Sequence, residues 1–172
     1  MKSRLVSAGV AGLMLALVGS ANAEVQTFAR EGSWQAYGGT SDNGRALCGV
    51  SSSGTGKYFG LKYFNGDNTL TIQLGSNEWR VKDGAKQRVR MQIDNNSQWD
   101  AVGTAFHFGD GDAGLEFEIR SNQLETFMTE FRGGNTLFIR FPETDVSDWR
   151  ASLDGSDTIS DSFVRCVKAL RS

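Results

Sequence analysis

The chain carries one histidine and two cysteines among 172 residues, so few side chains are available for acid–base or metal chemistry. One His and two Cys fall a ligand short of a structural Cys/His zinc site. His107 lies in Ala105-Phe106-His107-Phe108. A general base needs an orienting partner or a nearby nucleophile, and no G-x-S-x-G signature accompanies it. It reads as a strand histidine at a sheet edge or beside the following loop. Glu116 and Glu118 alternate along one strand pattern, so they share a face about 7 Å apart, two strand rises. That separation is in range for paired-acid glycoside hydrolysis. The next residue on that face is Arg120, however, and a cation does nothing to raise a general acid's pKa. A solvated strand face is the better reading, and a carbohydrate-active hydrolase using Glu116 or Glu118 with His107 is the third hypothesis. Gly109-Asp110-Gly111-Asp112-Ala113-Gly114 offers a D-x-D pair of oxygens. It lacks the further ligands and closing bidentate Glu of a calcium loop, so it reads as a hairpin turn. No catalytic set, metal or cofactor is expected.

Binding chemistry has more to work with. Trp34, Trp79, Trp99 and Trp149 are spread along the chain; they read as core anchors, with a sugar-stacking platform as the functional alternative. Ser51-Ser52-Ser53-Gly54-Thr55-Gly56-Lys57-Tyr58 reads as a flexible Ser/Gly loop ending in a cation and an aromatic, and Lys62 follows shortly after. An ordinary hairpin loop has the same composition; small hydroxyls and a lysine on a protruding loop would also suit insertion into an acidic, sugar-binding cleft. The stretch resembles the loop of periplasmic C-type lysozyme inhibitors, a Ser-Gly-x-Gly-Ala-Lys-Tyr-like sequence that enters the enzyme's active site. That resemblance implies that Ser53 and Lys62 contact the catalytic carboxylates with Tyr58 as support, and a lysozyme inhibitor would act through Ser53, Lys57, Tyr58 and Lys62.

The elements that must position these residues show mainly a period of two. Leu70, Ile72 and Leu74 alternate with Thr71 and Gln73; Val89, Met91 and Ile93 with Arg88, Arg90 and Gln92; Leu115, Phe117 and Ile119 with Glu116, Glu118 and Arg120. Each predicts a half-buried strand with one wet face. Leu137–Phe141 is a shorter, more apolar strand ending at Pro142, and weaker strands are expected over Trp34–Tyr37, Ala46–Ser51, Tyr58–Phe64, Trp79–Lys82 and Trp99–Phe108. Turn clusters such as Ser41-Asp42-Asn43-Gly44 and Asn65-Gly66-Asp67-Asn68 separate them. Two segments have helical periodicity. Leu124, Phe127, Met128 and Phe131 form one stripe, with Asn122 and Glu125 resembling a capping box and Gly133-Gly134 as the stop. Ile159, Phe163, Cys166, Val167 and Leu170 form the other, capped by Ser156 or Asp157. The expectation is a mainly β (α+β) fold: an antiparallel β-sandwich or curved sheet with one internal helix and a C-terminal helix.

Lys2 and Arg4, the uncharged run Leu5–Val18 and Ala21-Asn22-Ala23 have the layout of a signal peptide cleaved after Ala23. Residues 24–172 then form one β-rich domain, exported to the periplasm or outside. Without Lys2 and Arg4, the 18 basic residues fall to 16 against 20 acidic, a formal charge of −4. That balance offers nothing to nucleic acid. A monomer without stable membrane insertion is expected, its partner an envelope protein or a glycan. In an oxidising compartment Cys48 and Cys166 can pair internally, remain free or bridge a dimer; the even count and the compartment favour the internal disulfide. Trp34, Cys48, Trp79, Ile93-Asp94, Trp99, Trp149, Leu153-Asp154-Gly155-Ser156 and Phe163-x-x-Cys166 also look similar to small exported proteins of alphaproteobacteria, including invasion-associated locus B type proteins. That likeness implies a compartment, a disulfide and a β-rich fold, and no catalytic residue. A non-enzymatic interaction protein of the cell envelope is the leading reading, with a lysozyme inhibitor second.

Overall fold

The computed structural model describes residues 24–172, so the expected signal peptide, 1–23, lies outside the described residues. Ten strands make one antiparallel sheet: β1 (Glu24–Glu31), β2 (Trp34–Thr40), β3 (Ala46–Gly54), β4 (Lys57–Phe64), β5 (Thr69–Ser76), β6 (Lys86–Ile93), β7 (Trp99–His107), β8 (Ala113–Arg120), β9 (Thr136–Arg140) and β10 (Trp149–Ser152). Helices α1 (Ser121–Gly133) and α2 (Ser156–Leu170) complete the fold. The strand order is β1-β2-β3-β4-β5-β8-β7-β6-β9-β10. The curved-sheet alternative is the one realised. In a flat sheet β2 and β10 would lie eight strand spacings apart, about 38 Å. Instead the Trp34 indole Nε1 donates to the Ser152 carbonyl at 3.0 Å, so the sheet curls back on itself.

Alternation decides which side chains enter the fold. Trp34 and Ala36, Cys48 and Val50, Phe59 and Leu61, Leu70 to Leu74 in steps of two, Val89 to Ile93, and Leu115 to Ile119 all turn to one face and join one buried cluster. Phe127 and Phe131 of α1 fill it; Phe131 meets Trp34 edge-on at 5.1 Å and stacks near Phe59 at 6.1 Å. The disulfide Cys48–Cys166 joins β3 to α2, with Cα atoms 6.0 Å apart. Glycine at 38 lets the helix approach, because a Cβ there would stand 3.0 Å from Cys166 Sγ.

Several expectations need correction. Trp79–Lys82 is not a strand; Trp79 instead stacks on Trp149 at 5.0 Å inside the core. The capping box does not form: β8 runs directly into α1, whose cap position is Arg120 with no side-chain cap bond. The cap of α2 is Gly155 with φ 85°, while the Ser156 hydroxyl donates to the Phe131 carbonyl at 2.8 Å and ties the two helices together. β5 has no wet face, since Thr71 and Gln73 are buried along with Leu70, Ile72 and Leu74. β1 and β10 were not expected at all.

Candidate functional site

The Ser/Gly segment is not a flexible loop. β3 and β4 run to a two-residue turn, Thr55–Gly56, with Gly54 paired to Lys57. Both turn residues have positive φ, 48° and 70°, the handedness that lets a tight hairpin follow strand twist. Ser53 therefore sits on a strand, directly opposite Tyr58. Pairing and alternation put Ser53, Tyr58 and Lys62 on the outer face of the sheet, opposite the core. Lys62 lies four residues, about 13 Å, farther along β4. Together with Lys57 at the tip, these residues line one open cleft of about 560 Å³. Lys57 also leans the other way: its ammonium stands 5.5 Å from the centroid of the Trp149 ring.

The other wall was not foreseen. Because β4 neighbours β5 and β5 neighbours β8, the β7–β8 hairpin stands beside the β3–β4 hairpin and contributes Phe108, Asp110 and Asp112 to the same cleft. The Tyr58 and Phe108 rings meet edge-on at 5.4 Å, and Phe106 backs Phe108 at 4.6 Å. The Asp110 carboxylate accepts the Asp112 N–H at 3.1 Å, which holds the expected turn.

A row of glycines lets these rings lie close to the sheet. Gly49, Gly60, Gly75 and Gly114 sit on adjacent outer-face strands. A Cβ on Gly49 would overlap the Tyr37 ring, and one on Gly60 the Tyr58 ring. A Cβ on Gly75 or Gly114 would come within 2.7 Å of Phe108 or Phe106, respectively. Aromatic rings cover backbone that would otherwise face water, much as they rescue glycines in designed sheets.

Polar groups sit inside this cover. Gln73 donates through Nε2 to Glu116 at 2.6 Å, while its Oε1 is buried without a donor. The Tyr37 hydroxyl is likewise buried without a well-formed partner, and burial pushes its pKa far up. Burial also raises Tyr58, against the hydroxyls of Tyr37 and Ser51, which lower it. Desolvation holds Lys62 below the ordinary lysine range, partly offset by the charges of Glu116 and Asp42.

His107 does have an orienting partner that sequence reasoning missed: its Nδ1 lies 2.6 Å from Asp83 Oδ1. Its position on β7 alternates away from Thr104, the residue paired with Glu116, so His107 and the two glutamates project to opposite faces. Trp34, Trp79 and Trp149 are core residues, and Trp99 is half-buried with its Nε1 on Glu130 at 2.8 Å. They form no exposed stacking platform. Among the described residues, no helix is long and apolar enough to cross a membrane.

No known family model matches the chain, and no curated protein matches it closely enough to name a relative. Among solved structures, the chain is similar to the crystal structure of invasion associated protein B from Bartonella henselae, at 14% identity and a TM-score of 0.56. The likeness covers 83% of this chain and 99% of that one, and the two share a fold.

Proposed function

We propose that this chain is a non-enzymatic binding module of the cell envelope, periplasmic or secreted, that receives part of a protein or glycan in the cleft between its β3–β4 and β7–β8 hairpins. One observation carries the reading: Ser53, Lys57, Tyr58 and Lys62 converge on a single cleft of about 560 Å³. Its walls are built on two tight hairpins of a disulfide-fixed sheet, a rigid mount for groups that must meet a partner. The disulfide fits an oxidising compartment. The neighbour's printed name, invasion associated protein, is in keeping with a role at the cell boundary.

A narrower reading, inhibition of C-type lysozyme, is favoured by Ser53 and Lys62 sharing the outer face beside that hairpin. Both are tested by presenting the oxidised protein to a glycan array and titrating it into C-type lysozyme acting on a cell-wall suspension. Saturable binding in either arm that weakens at least tenfold with Ser53→Ala or Tyr58→Ala supports the cleft. Inhibition that vanishes with Lys62→Ala selects the lysozyme reading. Binding that is indifferent to all three substitutions places the partner surface elsewhere and overturns the proposal.

A further inference from the structure

The two ends of the cleft differ in charge, and the difference narrows its ligand, given the reading of the cleft as a binding site. At the mouth, where the Lys57 ammonium is drawn off toward Trp149, Asp110 and Asp112 supply carboxylate oxygens that accept hydrogen bonds from hydroxyls. Along the wall stand Tyr58 and Phe108, half-buried rings that meet edge-on. At the inner end stands Lys62, half-buried and without an ion pair among the described residues. Glu116 and Asp42 offset part of its desolvation without pairing with it, and an incoming anion would supply the direct partner it lacks.

The anion is a small one. A polyphosphate or other dense polyanion needs several cations or an arginine fork, and it would be repelled by Asp110 and Asp112. A single carboxylate on a hydroxyl-rich ring avoids both problems: its acid reaches Lys62, its ring packs against the aromatics, and its hydroxyls point at the aspartates. We propose that the cleft is a subsite for an acidic saccharide, with Lys62 receiving the sugar carboxylate, the Tyr58 and Phe108 rings flanking the pyranose, and Asp110 and Asp112 receiving the hydroxyls.

The test changes the ligand before it changes the protein. A disaccharide of glucuronic acid and N-acetylglucosamine is titrated into oxidised protein and followed by NMR, beside the same disaccharide with its carboxylate converted to the primary amide. The expected result is binding of the acid, at least tenfold weaker binding of the amide, and perturbed resonances at Tyr58, Lys62 and Phe108. Lys62→Met should abolish the preference for the acid, and Lys62→Arg should keep it. Equal affinity for acid and amide, or no binding of either at millimolar ligand, overturns the proposal. If glycan or lysozyme binding still depends on Ser53 and Tyr58 in that case, the cleft remains the partner site and only its assignment to an acidic sugar falls.

Discussion

The two faces of the β2–β3–β4–β5–β8 region are built from the same strands by different rules. The inner face takes its stability from volume. Trp34, Phe59, Leu61, Ile72 and Leu74 meet Phe127 and Phe131 there with essentially no exposed surface, and no ionisable side chain belongs to the cluster apart from the occasional tyrosine. The outer face keeps glycine where a strand usually carries a β-branched residue, and it lays Tyr37, Tyr58, Phe106 and Phe108 over the bare backbone. In doing so it buries a hydroxyl and an amide oxygen without partners and desolvates an ammonium. Packing for stability alone would avoid each of these, since every unsatisfied buried polar group is unfavourable by about 1–3 kcal/mol.

Substitutions on the two faces should separate accordingly. The largest effect belongs to the inner face: replacing Cys48 and Cys166 with alanine frees a loop spanning a 118-residue separation. The loss should approach about 4–5 kcal/mol, lowering Tm by roughly 10–20 °C, as calorimetry would register. Phe131→Ala, which empties the contact among Trp34, Phe59 and Phe127, should cost about 3–5 kcal/mol in denaturant unfolding. On the outer face, Gly49→Ala must displace the Tyr37 ring and should cost about 1–3 kcal/mol. A cost below about 0.5 kcal/mol would mean that the ring moves aside freely and the outer face is not packed.

The smallest effect has the opposite sign. Lys62 has a lowered pKa in the folded protein because burial opposes its charge. Between that value and the unfolded value of about 10.4, the unfolded chain therefore binds more protons, so stability rises with pH across this window. Below it the ammonium is a standing burden. Lys62→Met should raise Tm by a few degrees at neutral pH and flatten the rise on the alkaline side. A lysine neutral to folding would leave both curves superimposed.

Legibility followed solvent exposure. β6 and β8 were readable because one side of each meets water: Arg88 and Arg90, or Glu116 and Glu118, alternate with core residues. The outer residues of β5 were misread as wet because nothing in the local pattern reveals that Thr71 and Gln73 are covered. β1 carries almost no buried residue and β10 has only four positions, so neither produces a period to read. At the site, Ser53, Lys57, Tyr58 and Lys62 belong to one hairpin, and a short stretch of sequence contains their relation. Phe108, Asp110 and Asp112 join them only because β8 pairs with β5. Alternation assigns faces but cannot choose neighbours.

The covalent link between β3 and α2 also sets how the molecule carries force. Tension applied between Glu24 and Ser172 would run through β1 and β2 to Cys48, cross to Cys166, and leave along the end of α2. The intervening chain, with both hairpins of the cleft inside it, lies on a closed covalent ring outside the load path. Pulling could strip the first strands from the sheet while Ser53, Tyr58, Lys62 and Phe108 stayed unstretched. Reduction of the single bond would put all of them in series with the load.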